Sequence, residues 1–223
     1  MMKEENAITQ YISALLADDR ASIYFVGIKS EPGFQELKTN KAGLVATIMR
    51  AEGEHIYLAI NGYTSALESR NETNLRQINA IFVDCDAHDL VGDARVMAVD
   101  RAIRAIDQAV EVGMLPTPTI IVHSGRGFHL YYVYADSIPC RLRGGCPNVK
   151  GKRIHRYLTR QIYALVQDAI RDTGLSVDGG CLDLSRYARV PGIFNPAAQV
   201  MCTLLYADGP RYTFAELFEA GRQ

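Results

Sequence analysis

The chain lacks any run of about 20 apolar residues of the kind a membrane-spanning helix needs, and its opening MMKEENAITQ has no apolar core of a secretory signal. Both absences point to a soluble, cytoplasmic protein with no membrane partner. There is no CxxC pair, and the 5 cysteines are odd in number and scattered, which excludes a disulfide framework and fits a reducing compartment. Cys85, Cys181 and Cys202 sit among apolar neighbours and are expected to be buried thiols. Bulk charge is lacking too: 24 Lys and Arg against 25 Asp and Glu leave a net charge of −1, which excludes a protein that coats nucleic acid by charge alone. No internal repeat or low-complexity tract occurs, and no Ser, His, Asp set has the order or spacing of a covalent nucleophile system.

What is present is charge segregated by region. The stretch RLRGGCPNVKGKRIHRYLTR, Arg141 to Arg160, holds 7 Lys or Arg and no Asp or Glu, whereas Asp84, Asp86, Asp89, Asp93 and Asp100 crowd residues 81–100. One basic strip that could track a phosphate backbone and one acidic focus that could hold cations result. At 223 residues and 48% hydrophobic content, the chain suits a single catalytic domain over 1–223.

Periodicity predicts alternating helices and strands. A helix over 5–18 places Ile8, Ile12, Leu15 and Leu16 on one face, and a strand over 22–29 follows. Strands over 44–51 and 55–61 are expected around the AEGE turn, then a strand from Ala80 to Asp86. A helix over 93–112 carries Val96, Val99, Ile103, Ile106 and Val110 at spacings of three and four. TIIVH, SGRG and FHLYYVY predict two strands joined by a glycine turn, and a helix over 154–172 carries Ile154, Leu158, Leu165, Ala169 and Ile170 before Gly174 stops it. A strand near 199–206 and a short helix over 213–220 close the pattern.

Three short stretches carry the chemistry: IFVDCD (Ile81 to Asp86), SGRGFHLYY (Ser124 to Tyr132) and LDLSRYARVPGIFN (Leu182 to Asn195). Side chains alternate across a strand, so Ile81, Val83 and Cys85 face one side while Asp84 and Asp86 project together on the other. Such a pair is neutralised by a cation, and its hard oxygen donors select Mg²⁺ or Mn²⁺. Gly125 and Gly127 permit a sharp turn whose N–H groups can cradle phosphate oxygens, with Ser124 adding a hydroxyl, Arg126 a charge and His129 an imidazole donor. Asp183 supplies the additional carboxylate a two-ion site needs, with Asp178 as its rival, and Arg186 and Arg189 follow as partners for a triphosphate.

In this order the motifs resemble the archaeo-eukaryotic primase superfamily, particularly the primase-polymerase domains of plasmid and phage replication proteins. The resemblance spans about Ile81 to Asn195. It implies an α+β fold, in which an RRM-like mixed or antiparallel catalytic sheet with flanking helices (about 76–210) joins an N-terminal α/β unit (about 1–75). It implies template-directed primer synthesis from NTPs or dNTPs on single-stranded DNA, with a primer strand and two Mg²⁺ or Mn²⁺ ions. A replicative helicase or priming-control domain is a further expected partner. Carried over by motif, Asp84, Asp86 and Asp183 are the metal ligands and catalytic with His129, while Ser124 and His129 bind the triphosphate and Arg189 assists at the phosphates. Many members carry Glu where this chain has Asp86.

The basic residues Arg141, Arg143, Lys150, Lys152 and Arg153 are expected in a loop near template or primer. Cys140, Cys146 and His155 fall one ligand short of a structural zinc site. A HUH-type initiator nuclease would need histidines separated by one residue, yet His123 and His129 are separated by five. A binding module without catalysis is the other rival, and the retained acids argue against it.

Overall fold

Alternation along IFVDCD organises the molecule, because it assigns one side of a strand to each of two cores. The computed structural model describes residues 3–16, 22–31, 33–65, 69–87 and 89–220. In chain order the elements are α1 (Glu5–Leu15), β1 (Ile23–Ser30), β2 (Gly33–Asn40), α2 (Leu44–Arg50), β3 (His55–Ala59), β4 (Gly62–Tyr63), β5 (Leu75–Asp86) and α3 (Gly92–Glu111). They continue with β6 (Ile120–His123), β7 (Gly127–Pro139), α4 (Val149–Ala169), β8 (Ser176–Val177), β9 (Tyr187–Arg189), β10 (Phe194–Asn195), β11 (Val200–Met201), β12 (Thr203–Tyr206) and α5 (Phe214–Ala220).

The main sheet runs β12-β6-β7-β5-β4-β1-β3-β9, with β2 added on β1 and β8 on β5, and its strand pairs are antiparallel. This is the expected α+β arrangement of a large antiparallel sheet with flanking helices. On one side Ile81, Val83 and Cys85 of β5 and Phe128, Leu130 and Tyr132 of β7 pack against Leu158, Ile162 and Val166 of α4 and the small face of α3. On the other, Phe82 and Tyr131 join Tyr24, Val26 and Ile28 of β1 under Ile8, Tyr11, Ile12 and Leu15 of α1 and Leu44 and Ile48 of α2. Among the described residues no helix is long and apolar enough to cross a membrane.

Four local expectations are corrected. Residues 44–50 form helix α2 rather than a strand, because LVATIMR buries Leu44 and Ile48, four apart, and leaves the residues between them more exposed. Strand β2 was not expected, since its side chains are mostly exposed and carry no apolar alternation. Helix α4 begins at Val149, five residues before the expected start, because the Asn148 side chain accepts from Gly151 N at 2.9 Å and caps it. In α3 the buried face is Ala98, Val99, Ala102, Ile106 and Ala109, and Val96 is 57% exposed. Val99 and Ile106 of the expected stripe are buried and Ile103 and Val110 pack partly against the core, so the difference is confined to Val96 and to the alanines that share the face. The end of the first expected helix, 17–18, and the Cys181 side chain lie outside the described residues; Cys85 and Cys202 are buried.

A buried histidine in α4 links this packing to pH. His155 Nδ1 lies 2.9 Å from Tyr134 Oη, and burial, then the charge of Arg156, pushes its pKa down to about 3. The unfolded chain, with its ordinary value of 6.5, takes up this proton more readily than the folded one. Stability from neutral His155 is therefore complete above about pH 6.5 and is lost as pH falls toward 3. Calorimetric melting temperatures should fall across that window, and His155→Gln should flatten the fall; equal slopes would refute this assignment.

Candidate active site

Asp84 and His129 face one another in register across β5 and β7, and Asp86 pairs with Gly127 at the end of the same ladder. Asp84 Oδ1 is 3.6 Å from His129 Nε2, and Asp86 Oδ2 is 3.5 Å from the Arg126 guanidinium. The other edge of β5 receives β8, so that Asp178 N donates to Asp84 O at 2.8 Å. Arg186 joins the two elements, with its guanidinium bonded to Asp178 and 3.9 Å from Asp84 Oδ2. The carboxylates of Asp84 on β5 and of Asp178, just past the end of β8, thus share one arginine.

His129 is only 4% exposed, edge-on to Phe82. Burial, with the positive charges of Arg189 and Arg186 and the neighbouring His123, pushes its pKa down to about 3, so the ring is neutral at physiological pH. Tyr11 Oη donates to Tyr131 Oη at 3.0 Å, which directs the Tyr131 hydrogen toward His129 Nδ1, 3.4 Å away. The other ring nitrogen, Nε2, faces Asp84. Tyr131 lies within the second motif, two residues from the histidine, whereas Tyr11 carries no motif signal and is brought there only by the fold, which seats α1 on β7.

The SGRG turn is held from behind. Ser124 N donates to Gly127 O at 3.0 Å, and Gly125 adopts φ of 104°, where a side chain would also strike Asn195 and Ala198. Asn195 Nδ2 donates to Ser124 O at 2.8 Å, so the last residue of the third motif clamps the second. Asn195 is 1% exposed, and Asn195→Ala should cost about 1–3 kcal/mol, because a buried carbonyl loses its amide partner. Urea unfolding measures this; an unchanged midpoint would remove the clamp.

The remaining expected residues are distributed as follows. Asp183 is exposed, and its Oδ1 accepts from Ser185 N at 2.9 Å and Ser185 Oγ at 2.7 Å, a local turn rather than a contact with Asp84. Arg189 lies over the Tyr57 ring at 5.2 Å and 3.2 Å from His55 Nδ1. In the basic strip Arg141 and Arg143 are exposed in the connecting segment, whereas Lys150, Lys152 and Arg153 lie in the first turns of α4 rather than in the expected loop, with Lys150 and Arg153 exposed and Lys152 3.6 Å from Glu72. Cys140 is buried and Cys146 exposed, and His155 is engaged with Tyr134. Among the described residues no three His, Cys, Asp or Glu side chains are gathered as a metal cage. The donor set at the β5 end nevertheless suits a hard cation, being carboxylate oxygens on adjoining strands against positive charge.

No family model matches the chain. A replication protein of Clostridium perfringens is 23% identical over 152 residues, covering 68% of this chain and 32% of that protein. The chain therefore spans about a third of the length of this relative. The AEP domain of the cyanophage S-2L primase-polymerase superposes with a TM-score of 0.64 at 16% identity, covering 99% of each chain. The chain has the archaeo-eukaryotic primase-polymerase fold. The catalytic domain of primase RepB′, solved in complex with initiator DNA, gives a TM-score of 0.56 at 16% identity over 98% of this chain and 94% of that one. Within the primase-polymerase fold, the three motifs occupy the open end of β5 and β7 and the segment from β8 to β10 beside it.

Proposed function

We propose that this chain is the catalytic domain of a replication primase-polymerase, a nucleotidyltransferase that joins nucleoside triphosphates into a primer on single-stranded DNA. The meeting of Asp84, His129, Asp178 and Arg186 at one end of the β5–β7 ladder carries this reading. The fold it shares with primase-polymerase domains supports it.

Asp84 and Asp86 would hold two divalent cations, with Asp178 in the role first expected of Asp183. Asp178 is fastened by its backbone to Asp84 and its carboxylate is bonded by Gly180 N and by the Arg186 that also approaches Asp84, whereas the carboxylate of Asp183 is bonded only within its own turn, by Ser185. The Mg²⁺ or Mn²⁺ ions supply acidification of the attacking 3′-hydroxyl and neutralisation of the departing pyrophosphate. Neutral His129 donates from Nε2 to a triphosphate oxygen without the repulsion that a second anion would bring to Asp84. The SGRG turn presents N–H groups, with Ser124 and Arg126 beside it, and Arg186 and Arg189 add positive charge toward the phosphates. The basic residues Arg141, Arg143, Lys150, Lys152 and Arg153 would lie along template or primer, and a helicase or priming-control domain would act with the whole protein.

Incorporation of labelled NTP or dNTP on single-stranded circular DNA, with Mg²⁺ or Mn²⁺, tests the proposal. Products that grow with time and need both template and cation are expected. Cleaved template bound covalently to protein would instead indicate an initiator nuclease, and binding with no product would indicate a non-catalytic module.

A further inference from the structure

Away from the carboxylates, β1, β2, β3 and β9 have one face buried under α1 and α2 and another that is rich in aromatic rings and cations. Tyr24, Val26, Ile28, Ile56 and Leu58 take the buried face. The register sets Gly27 opposite Glu36 on one side and Tyr57 on the other, with Arg189 opposite Tyr57. Lys29 similarly stands between Phe34 and His55. Residues of this second face therefore form continuous cross-strand rows.

Gly27 lets the rings lie down. A Cβ at this position would come within 2.6 Å of Phe34 Cζ and 2.9 Å of Tyr187 Cζ, so both rings rest across the strand where a side chain would stand. Phe34 and Tyr187 have centroids 5.5 Å apart, and Tyr57 is 6.3 Å from Tyr187. Glu36, the acid within these rows, is already engaged by Tyr187 Oη at 2.8 Å and Arg70 Nε at 3.1 Å. Phe34 is nonetheless 52% exposed, so its outer ring face stays open to solvent. Lys29 is exposed opposite Phe34, and Lys38 is exposed two rows along the same face, over the Phe25 ring.

Arg70 already covers the Tyr187 ring at 4.1 Å and Arg189 the Tyr57 ring at 5.2 Å, so Phe34 offers the open ring. We infer that Phe34, backed by Tyr187 and Tyr57 and flanked by the cations Lys29, Lys38, Arg70 and Arg189, forms a platform on which bases of a single-stranded DNA template stack as the strand approaches the active site. Rings without hydrogen-bond readout stack on any base, and flanking cations pair with the backbone. A duplex hides its base faces and gains only the charge contribution. Strand β9 connects the platform to the active site along the chain, because Tyr187 follows directly on Arg186, which pairs with Asp178. This inference rests on the reading of the site as template-using and locates where the template lies.

Fluorescence anisotropy of labelled oligo(dT) and of a duplex of equal length, across a salt series, tests it without requiring catalysis. Phe34→Ala should weaken oligo(dT) binding about 5- to 100-fold and leave duplex binding nearly unchanged, and Phe34→Trp should retain affinity. Lys29→Glu with Lys38→Glu should reduce the salt dependence. Melting curves of each variant separate lost binding from lost folding, and iodouridine crosslinks should map to Phe34, Tyr57 or Tyr187. Wild-type affinity in Phe34→Ala, crosslinks confined to residues 141–153, or competition by poly-glutamate as strong as by oligo(dT) would overturn the platform. A protein that binds DNA through Phe34 yet incorporates no nucleotide would sink the polymerase reading and leave the platform standing.

Discussion

Asp84→Asn should lower nucleotide incorporation on a primed single-stranded template by at least about 10²- to 10³-fold, the scale seen when one preorganised electrostatic group is removed from a transition state. The substitution keeps the shape of the side chain and removes its charge. Asp84 is partly exposed and faces His129 and Arg186, so asparagine introduces no cavity, and the melting temperature should stay close to wild type. Asp178→Asn should act in the same direction, because Asp178 shares Arg186 with Asp84. Asp183→Asn should lose only part of its bonding to Ser185 and retain most activity. Single-turnover incorporation assays distinguish these outcomes, and an Asp84→Asn enzyme of wild-type rate would remove the aspartate pair from catalysis.

The second large effect is expected at Gly127. An added methyl would lie 1.8 Å from Cys85 O and 2.9 Å from Asp86 Cα, both backbone atoms that cannot rotate aside. Gly127→Ala must therefore push β7 off β5 where Asp86 pairs with Gly127, two residues from Asp84 and His129. Overpacking of this kind costs about 1–3 kcal/mol or more, and the displaced carboxylates should reduce incorporation further. Gly33, where an added methyl meets nothing within 4 Å, provides the control. Urea unfolding with incorporation assays tests the pair; equal behaviour of Gly127→Ala and Gly33→Ala would refute the close-approach argument.

Much of the site was legible because a strand has a period of two. Asp84 and Asp86 on one side and Ile81, Val83 and Cys85 on the other follow from sequence alone, and so does a glycine turn that returns His129 to the neighbouring strand. The proposed preference for Asp178 over Asp183, the residue favoured from sequence, was not legible. Both precede the arginines, and only the antiparallel pairing of Ser176 and Val177 with the end of β5 sets them apart. Elements were missed where local pattern carries little information. β2 gives its side chains to solvent, α2 reads equally well as a strand, and the cap of α4 is hidden in a Gly- and Pro-containing stretch. The tyrosine pair behind His129 depends on contacts across about 120 residues, beyond any local signal.

Manganese binding bears most directly on the central claim that Asp84, Asp86 and Asp178 form one cation-holding set beside a triphosphate cradle. Free Mn²⁺ can be followed by electron paramagnetic resonance during titration of the protein with a nucleoside triphosphate present. The account predicts that the wild type depletes free Mn²⁺ beyond what the nucleotide alone binds, that Asp84→Asn and Asp178→Asn lose this excess, and that Asp183→Asn keeps it. Excess binding that survives both Asp84→Asn and Asp178→Asn, or that disappears only in Asp183→Asn, would contradict it.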